Sequence, residues 1–317
     1  MPLTAAAVKE RALALGFDLC GVAPAEAFPE LGELAGWLAR GFAGEMHYLA
    51  RTADKRGDPR RVLPSARAVV ALGTVYNTDR PYSTEVGEAG DALIARYAWG
   101  DDYHDVIGRR LDALVGWMRE AAGVPFEARA YVDTGPVQER AFAARAGLGW
   151  VGRNTCLIHP ELGSWLFLAE ILTNLDLEPD TPGTDRCGSC TLCLDACPTG
   201  ALVQPGVLDA RLCIAYLTIE LKGPVPEPLE PGLGSHVFGC DVCQEVCPWN
   251  QVPARSSEPA WQPRPEFDRP PLDQLAARSD EDLRRQMKGS AMRRAGVRGL
   301  RRNLEVALRH RGAGPGV

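Results

Sequence analysis

Cysteines are the residues of this 317-residue chain whose spacing points most clearly to chemistry. Eight of the ten lie between residues 187 and 247, and in a chain expected to stay in the cytoplasm that density favours metal ligation over disulfides. The first group has the bacterial ferredoxin spacing Cys-x2-Cys-x2-Cys-x3-Cys-Pro, and the second reads Cys-x2-Cys-x3-Cys-Pro. Both patterns predict iron–sulfur ligation.

The two groups predict two [4Fe-4S] clusters with crossed ligation. Each cluster needs four thiolates, and in two-cluster ferredoxins the cysteine before proline ligates the other cluster. The second group lacks a first member, which Cys213 can supply across a loop from 27 residues before Cys240. One predicted ligand set is Cys187, Cys190, Cys193 and Cys247, and the other is Cys240, Cys243, Cys213 and Cys197. A Zn(Cys)4 site is the alternative, which explains the CxxC pairs but not the full spacing.

Helices and strands alternate in the part of the chain that precedes these cysteines. Thr4 can cap the first helix and Gly16 can end it. The patterns predict helices over 5–15, 29–50, 106–122 and 137–146, and strands over 17–23, 68–76 and 128–132. This alternation predicts an α/β or α+β first domain.

Composition divides the chain into four parts. Residues 1–175 form the predicted α/β domain, and residues 176–252 are rich in Cys, Pro and Gly and form a loop-rich cluster domain. Six prolines make 253–271 a predicted extended connector, and 272–317 return to helical patterning.

Charge is distributed unevenly. The formal net charge is −6, yet residues 284–311 hold ten Lys or Arg against the single Glu305. A basic segment on an acidic body predicts a localised contact with a polyanion, and the alternative is a solvated helix face.

Several classes of protein are excluded or disfavoured. The most apolar stretch, 165–175, is interrupted by Glu170 and Asn174, so a membrane span is not expected. Lys9, Glu10 and Arg11 occupy the positions where a signal peptide needs apolar residues, which predicts a cytoplasmic location. No GxGxxG opens a helix after a strand and GxxxxGK[ST] does not occur, so no nucleotide site is predicted.

Iron–sulfur clusters transfer electrons one at a time, which suggests a reductase, an electron-transfer subunit or a radical enzyme. The last is disfavoured because no separate CxxxCxxC motif is present.

Longer motifs resemble the epoxyqueuosine reductase family. The matching segments are Tyr131-Val-Asp133-Thr-Gly135-Pro136-Val-Gln-Glu139-Arg140, Gly147-Leu-Gly149-Trp150-Val-Gly152-Arg153-Asn154-Thr155, the cysteine groups and Gly239-Cys-Asp241-Val-Cys-Gln244. Further matches at 15–17, 60–64, 96–104 and 288–294 extend the resemblance over nearly the whole chain.

The resemblance implies a cobalamin-dependent oxidoreductase that reduces epoxyqueuosine to queuosine at the wobble position of tRNA. It also implies a nitroreductase-like corrinoid-binding domain, a ferredoxin-like two-cluster domain and a short C-terminal helical segment. Electrons would pass from an unidentified low-potential donor through the clusters to cobalamin, because cobalamin can store the two electrons that clusters deliver singly.

Asp133 is the expected proton donor. It ends a predicted strand before a Gly-Pro turn, where α/β sheets place their ligand crevice, and the resemblance selects the same residue. A carboxyl of ordinary pKa donates poorly at pH 7, so burial beside the corrin would have to raise that pKa. The alternative is that Asp133 caps the helix that starts near Pro136.

The remaining site expectations concern cobalamin and tRNA. Arg153, Asn154 and Thr155, in a glycine-containing loop, are the first cobalamin candidates, followed by Arg56, Ser164, Asp241 and Gln244, and Asp133 is also expected to contact the cofactor. No protein ligand to cobalt is expected. The candidates for tRNA phosphates are Lys222, Arg284, Arg285, Lys288, Arg293, Arg294, Arg298, Arg301 and Arg302.

Two other functions compete with this one. A reductive dehalogenase shares the cofactors but usually carries a twin-arginine signal, which this chain lacks. A non-catalytic ferredoxin-type electron carrier needs only the clusters, and predicts neither corrinoid binding nor a role for Asp133.

Overall fold

The computed structural model describes residues 3–85 and 90–311. The helices are α1 Ala5–Ala14, α2 Pro29–Ala39, α3 His47–Arg51, α4 Ala53–Gly57, α5 Tyr103–Ala122, α6 Glu139–Arg145, α7 Leu192–Asp195, α8 Ile214–Ile219, α9 Glu230–Leu233, α10 Val242–Glu245, α11 Leu272–Ala277, α12 Asp280–Gln286 and α13 Gly296–Arg309. The strands are β1 Leu19–Pro24, β2 Ala68–Val75, β3 Leu93–Ile94, β4 Ala128–Tyr131, β5 Trp150–Val151, β6 Leu157–Ile158, β7 Leu166–Thr173, β8 Leu202–Gln204, β9 Val207–Leu208 and β10 His236–Phe238. Within the described ranges, none of the helices combines the length and hydropathy that a membrane crossing requires.

The chain divides into two compact units that do not follow the linear boundaries expected from composition. Of the described residues, the first unit contains 3–41, 47–75 and 103–188, and the second contains 42–46, 76–85, 90–102 and 189–311. The expected boundary after residue 175 therefore differs from the observed division. One cause is a long-range pairing that composition cannot reveal, since β3 pairs in parallel with β10 of the second unit.

An antiparallel sheet organises the first unit. Its strand order is β1-β2-β7-β4, and each neighbouring pair is antiparallel. Every residue of β2 is buried, as its continuous apolar sequence predicts for a central strand. This sheet makes the unit α+β, because its neighbouring strands are antiparallel and not parallel as in an α/β sheet.

Local signals predicted α1, β1, β2, α5, β4 and α6, whereas β5, β6 and β7 were not predicted. The Thr4 hydroxyl accepts a hydrogen bond from the Ala7 backbone N–H at 3.2 Å and caps α1. The expected single helix over 29–50 is instead interrupted after Ala39, and Gly41 and Gly44 adopt positive φ angles of 71° and 55°. A helical hydrophobic pattern continues across this break, so the periodicity alone did not show it.

The second unit packs the proline-rich segment against its own core. Pro259–Trp261 forms a 3-10 turn, and Trp261 and Phe267 are buried. The backbone N–H of Asp101 donates to the Ala260 carbonyl at 2.7 Å. Residues 253–271 are thus not the extended connector that their prolines predicted, because the aromatic side chains between the prolines are buried in the core of this unit.

The C-terminal segment is helical, as expected, through its described residues, and 312–317 lie outside them. Buried Asn303 in α13 donates to the carbonyls of Thr218 and Val237, both at 2.8 Å. These two bonds attach α13 to α8 and β10.

Candidate active site and cluster ligands

Asp133 lies in a strained turn directly after β4. Its φ is +58°, a left-handed conformation that Asp tolerates better than most residues. Its backbone N–H donates to Glu139 Oε1 at 2.6 Å. Its side chain is 59% exposed, so any burial of this carboxyl must come from a bound cofactor or substrate.

Two aromatic residues of α5 hold the Asp133 carboxylate. The Tyr103 hydroxyl donates to Oδ2 at 2.9 Å, and His104 Nε2 lies 3.3 Å from the same oxygen. The Tyr103 ring stacks on Phe167 of β7 with a centroid distance of 4.5 Å and on His104 at 4.1 Å. The carboxylate is therefore oriented by groups whose own positions are fixed by packing.

The structure excludes the capping role for Asp133. Helix α6 begins at Glu139 with Gln138 at its N-cap position, and the Glu139 carboxyl reaches back to the Asp133 N–H. The argument from the carboxyl edge of a parallel sheet also fails, because β4 is antiparallel to its neighbour β7. The turn geometry, and not the strand direction, places Asp133.

A pair of acidic side chains lies next to this turn, and sequence analysis missed it. Glu170 is 1% exposed in the middle of β7, and Glu139 is half-buried at the start of α6. Burial, followed by the charge of Asp133, raises the pKa of Glu139 to about 7. Burial and then the charge of Glu139 raise the pKa of Glu170 well above its ordinary value. The available signal was a glutamate inside an otherwise apolar strand sequence.

Residues 152–155 form a second loop that α6 ties to the Asp133 turn. Arg140 Nη1 donates to Thr155 Oγ1 at 3.2 Å, and Arg140 follows Glu139 directly. Thr155 has φ +66°, so two non-glycine residues of this region are held in the left-handed conformation. Such strain concentrates at functional sites.

The other cobalamin candidates of the first unit have internal contacts. Arg56 Nη1 donates to the Val137 carbonyl at 2.9 Å and so supports the segment after Asp133. Arg153 donates to the Gly188 carbonyl, while Asn154 and Ser164 are buried. Asn154 Oδ1 accepts from the Cys156 backbone N–H at 3.1 Å.

Gly149 has a reason internal to the fold. It adopts φ +147°, and a Cβ there would lie 2.0 Å from the Ile158 carbonyl oxygen. The glycine thus allows β5 and β6 to approach each other.

Asp241 and Gln244 belong to the second unit. The buried Asp241 carboxylate accepts from the Arg96 backbone N–H at 2.6 Å, and burial raises the pKa of Asp241 to about 7. Gln244 Nε2 lies 3.5 Å from the Tyr76 hydroxyl. Arg96 is itself 2% exposed, and burial lowers its pKa.

The cysteines of the second unit suit thiolate ligation. Cys193 and Cys247 are buried and Cys190, Cys197, Cys213, Cys240 and Cys243 are half-buried. The Ala201 backbone N–H donates to Cys197 Sγ at 3.2 Å, a contact that stabilises a thiolate.

Cys213 and Cys240 lie close enough for their charges to interact. Burial raises the pKa of the Cys240 thiol well above its ordinary value, and the nearby charge of Cys213 raises it further. This proximity fits the expectation that both belong to one ligand set.

Cys187 belongs to the first unit, where Trp150 Nε1 lies 3.4 Å from its sulfur. Among the residues that the structure describes, no three His, Cys, Asp or Glu side chains converge as ligands of a single ion. The fit of the cysteines to clusters rests on the chemistry and spacing of the thiols.

The basic candidates divide into exposed and internally bonded side chains. Arg302 donates to the carbonyls of Leu217, Leu221 and Gly223 at 2.5 to 2.7 Å. Arg301 donates to the Ala276 carbonyl at 2.6 Å and pairs with Asp280. Arg284, Arg285 and Arg294 pair with Asp280, Asp282 and Glu220 respectively. Within 3–85 and 90–311, the candidates left with exposed side chains outside such pairs are Lys288, Arg293 and Arg298, while exposed Lys222 reaches toward the Ile219 carbonyl at 3.4 Å.

Comparison with known proteins gives consistent matches. The family described as "Epoxyqueuosine reductase QueG, DUF1730" matches residues 56–134, and a "4Fe-4S double cluster binding domain" matches 186–250. An epoxyqueuosine reductase of Gloeobacter violaceus is 49% identical, over 97% of each chain. The Escherichia coli enzyme of that name is 37% identical over 95% of this chain and 79% of its own.

Two solved structures are also similar. An epoxyqueuosine reductase crystallised with an epoxyqueuosine-modified tRNA-Tyr stem loop has a TM-score of 0.86 and 36% identity, with 96% of this chain and 80% of that chain covered. The Bacillus subtilis enzyme, with its catalytic aspartate loop swung out of the active site, has a TM-score of 0.84 and 35% identity over the same shares.

Proposed function

The chain belongs to the epoxyqueuosine reductase family, and from that premise we propose that it converts epoxyqueuosine to queuosine at the wobble position of tRNA. It is an oxidoreductase with a double [4Fe-4S] cluster domain. The observation that carries the proposal is the Asp133 turn, in which an exposed carboxylate is oriented by Tyr103 and His104 within the resembling motif.

The chemistry sets what the residues must supply. Removing the oxygen of an epoxide to leave an alkene consumes two electrons and two protons and releases one water. The electrons come from a low-potential donor through the two clusters. We assign the delivery of these protons to side chains of this chain that reach the reacting oxygen.

Cobalamin would be held in the first unit by Arg153, Asn154 and Thr155, with Arg56 and Ser164 supporting their loops. The fit rests on the tie between this loop and the Asp133 turn, and on Val151, whose 41% exposure offers apolar surface for a macrocycle. When bound, the corrinoid supplies a low-valent cobalt nucleophile that accepts single electrons and returns a pair. The roles of Asp241 and Gln244 toward it stay predictions.

Asp133 donates a proton to the epoxide oxygen. Its carboxyl is oriented through Oδ2 and exposed, which leaves it accessible to a bound substrate. The Bacillus subtilis relative, whose catalytic aspartate loop can swing out, supports a loop of this kind in the reaction. Protein burial alone does not enclose this carboxyl, so cofactor and substrate must complete its apolar surroundings.

The substrate is a tRNA. The relative crystallised with a modified stem loop supports this, and the basic segment supplies phosphate contacts. Lys288, Arg293 and Arg298 are the strongest candidates because their side chains are exposed, and Lys222 is a further one. A cytoplasmic location agrees with this substrate and stays a prediction.

One experiment tests substrate and cofactor together. The clusters are reconstituted without oxygen, and the protein is incubated with epoxyqueuosine-containing tRNA and a low-potential reductant, with and without cobalamin. Mass spectrometry of the nucleosides should show queuosine only when cobalamin is present. No conversion with intact clusters and bound cobalamin would indicate another corrinoid reductase, and failure to bind cobalamin would indicate an electron carrier.

A further inference from the structure

We infer that Glu139, paired with Glu170, protonates Asp133 again after its first proton transfer and so supplies the second proton that the reaction consumes. This inference rests on the proposed function. Glu139 acts through Asp133, as a positioning residue that also stores a proton, and it has no contact with substrate in the scheme.

The need for a second donor follows from stoichiometry. Forming water from the epoxide oxygen takes two protons, and the single carboxyl of Asp133 holds one. Asp133 is thus ionised after the ring opens and must be protonated again before the hydroxyl can leave as water. A group that does this must lie beside Asp133 and must be protonated near neutral pH.

Glu139 meets the geometric requirement. Its Oε1 lies 2.6 Å from the Asp133 backbone nitrogen, at the first residue of α6. Glu170 lies on β7 opposite Tyr131 of β4, two residues before Asp133, and is 1% exposed. Apart from the neighbouring Glu139 carboxyl, no described group forms a hydrogen bond with either Glu170 oxygen, so the buried carboxyl has little to stabilise a negative charge.

The surrounding charges favour a stored proton. Burial and the charge of Asp133 raise the pKa of Glu139 to about 7, although the hydrogen bonds with Glu170 and the Asp133 N–H and the charge of Arg140 act in the opposite direction. Burial, Glu139 and Asp133 raise the pKa of Glu170, and Arg56 opposes. Two adjacent carboxyls in such surroundings titrate as a pair, and one proton stays with them at neutral pH.

The proton balance closes. Asp133 gives its proton to the epoxide oxygen as the carbon–oxygen bond opens. The Glu139–Glu170 pair then gives its proton to ionised Asp133, which protonates the hydroxyl that leaves as water. The pair regains one proton from solvent and Asp133 another, while the two electrons come from the low-potential donor.

The Glu139→Gln variant distinguishes the storage of a proton by Glu139 from the positioning of the Asp133 turn. The amide oxygen can still accept from the Asp133 N–H, so the turn keeps its contact, but the side chain no longer titrates. Glu139→Asp restores a titratable group, and Glu120→Gln on an exposed part of α5 is the matched control. Infrared spectra of the reconstituted enzyme, recorded from pH 5 to 9, should contain a protonated-carboxyl band that disappears around pH 7. The intensity lost around pH 7 should be smaller in E139Q than in E120Q, and Asp241, whose pKa burial also raises to about 7, should account for the band that remains.

The rate of queuosine formation provides the second measurement. The wild-type rate should fall as pH rises through about 7. The rate of E139Q should be lower by roughly 10²-fold and should not fall in this pH range. The rate of E139D should again fall as pH rises through this range.

Three results would overturn the inference. They are an unchanged infrared band in E139Q, a wild-type rate and pH profile in E139Q, and loss of activity in E139Q and E139D alike with the band unchanged in E139Q. A wild-type enzyme that binds cobalamin but forms no queuosine overturns the proposed function, and with it the proton transfer from the Glu139–Glu170 pair to Asp133.

Discussion

Asp133 combines a strained backbone with a carboxylate held from two sides, and neither feature is written in its immediate sequence. Left-handed residues of this kind cost roughly 1 to 3 kcal/mol, and they persist where surrounding contacts impose them. Here the contacts are the Glu139 carboxyl on the backbone N–H and Tyr103 on the side chain.

Asp133→Asn should abolish most of the activity without disturbing the turn. Asn also tolerates the left-handed conformation, so its backbone can stay in place, but its amide cannot deliver a proton. We expect the rate of queuosine formation to fall by roughly 10²- to 10⁴-fold, with cobalamin binding retained in absorption spectra. Asp112→Asn, on the exposed face of α5, should leave the rate unchanged. A D133N variant as active as D112N would remove Asp133 from the mechanism.

Glu170 gives a test of carboxyl burial that needs no substrate. Its folded-state pKa is raised above the unfolded value, so its contribution to stability is complete at pH below the unfolded value and is lost as pH rises through the folded value. Glu170→Gln removes the titrating group and should raise the melting temperature relative to wild type at pH 8, with little difference at pH 4.5. Calorimetry across this range measures the effect. A wild-type protein that gains stability relative to E170Q as pH rises would mean that Glu170 is ionised and paired.

At the scale of residues, the sequence predicted which side chains are ligand candidates better than it predicted the role of each side chain. The cysteine spacing identified eight ligand candidates because thiols at these intervals suit cluster ligation far better than disulfides or a zinc site. The role of Glu139 could not be predicted, since it depends on a 2.6 Å contact across a turn and on a β7 residue 31 positions later.

At the scale of elements, local signals predicted what local forces determine. The Thr4 cap, the apolar run of β2 and the periodicity of α5 each correspond to an observed element. The antiparallel order β1-β2-β7-β4 could not be predicted, because strand neighbours far apart in the chain are chosen by packing. The proline-rich segment shows the same limit, because its composition does not reveal that Trp261 is buried.

Crossed ligation predicts that Cys213, directly before the start of α8, and Cys197 bind the same cluster. Cys213→Ala and Cys197→Ala should each remove the same cluster, so bound iron should fall by roughly half and the remaining cluster should have one common spectrum. Cys20→Ala is the matched control, because Cys20 lies outside both groups in β1. Iron analysis with electron paramagnetic resonance of the reduced protein measures this. Different residual spectra for C213A and C197A would show that these two cysteines serve different clusters.

At the scale of the whole molecule, the formal charge of −6 conceals a basic C-terminal segment on an acidic remainder. Composition alone left a nucleic-acid contact and a solvated face equally open. The structure sorts the arginines by use, since Arg301 and Arg302 satisfy backbone carbonyls within the fold. Charge in a sequence therefore predicts the sign of a surface but not which side chains remain for a partner.

This sorting separates variants that weaken tRNA binding from variants that weaken the fold. Arg293→Gln and Arg298→Gln should each lower the affinity for a tRNA anticodon stem loop and reduce the slope of log affinity against log salt by ~0.7 to 0.9, one phosphate contact each. Arg302→Gln should instead lower the melting temperature, because the carbonyls of Leu217, Leu221 and Gly223 lose their donor. Arg119→Gln, on an exposed part of α5, is the matched control. Fluorescence anisotropy over a range of salt concentrations, with calorimetry in parallel, measures both effects. Unchanged slopes for R293Q and R298Q would place the phosphate contacts outside α13 and the turn before it.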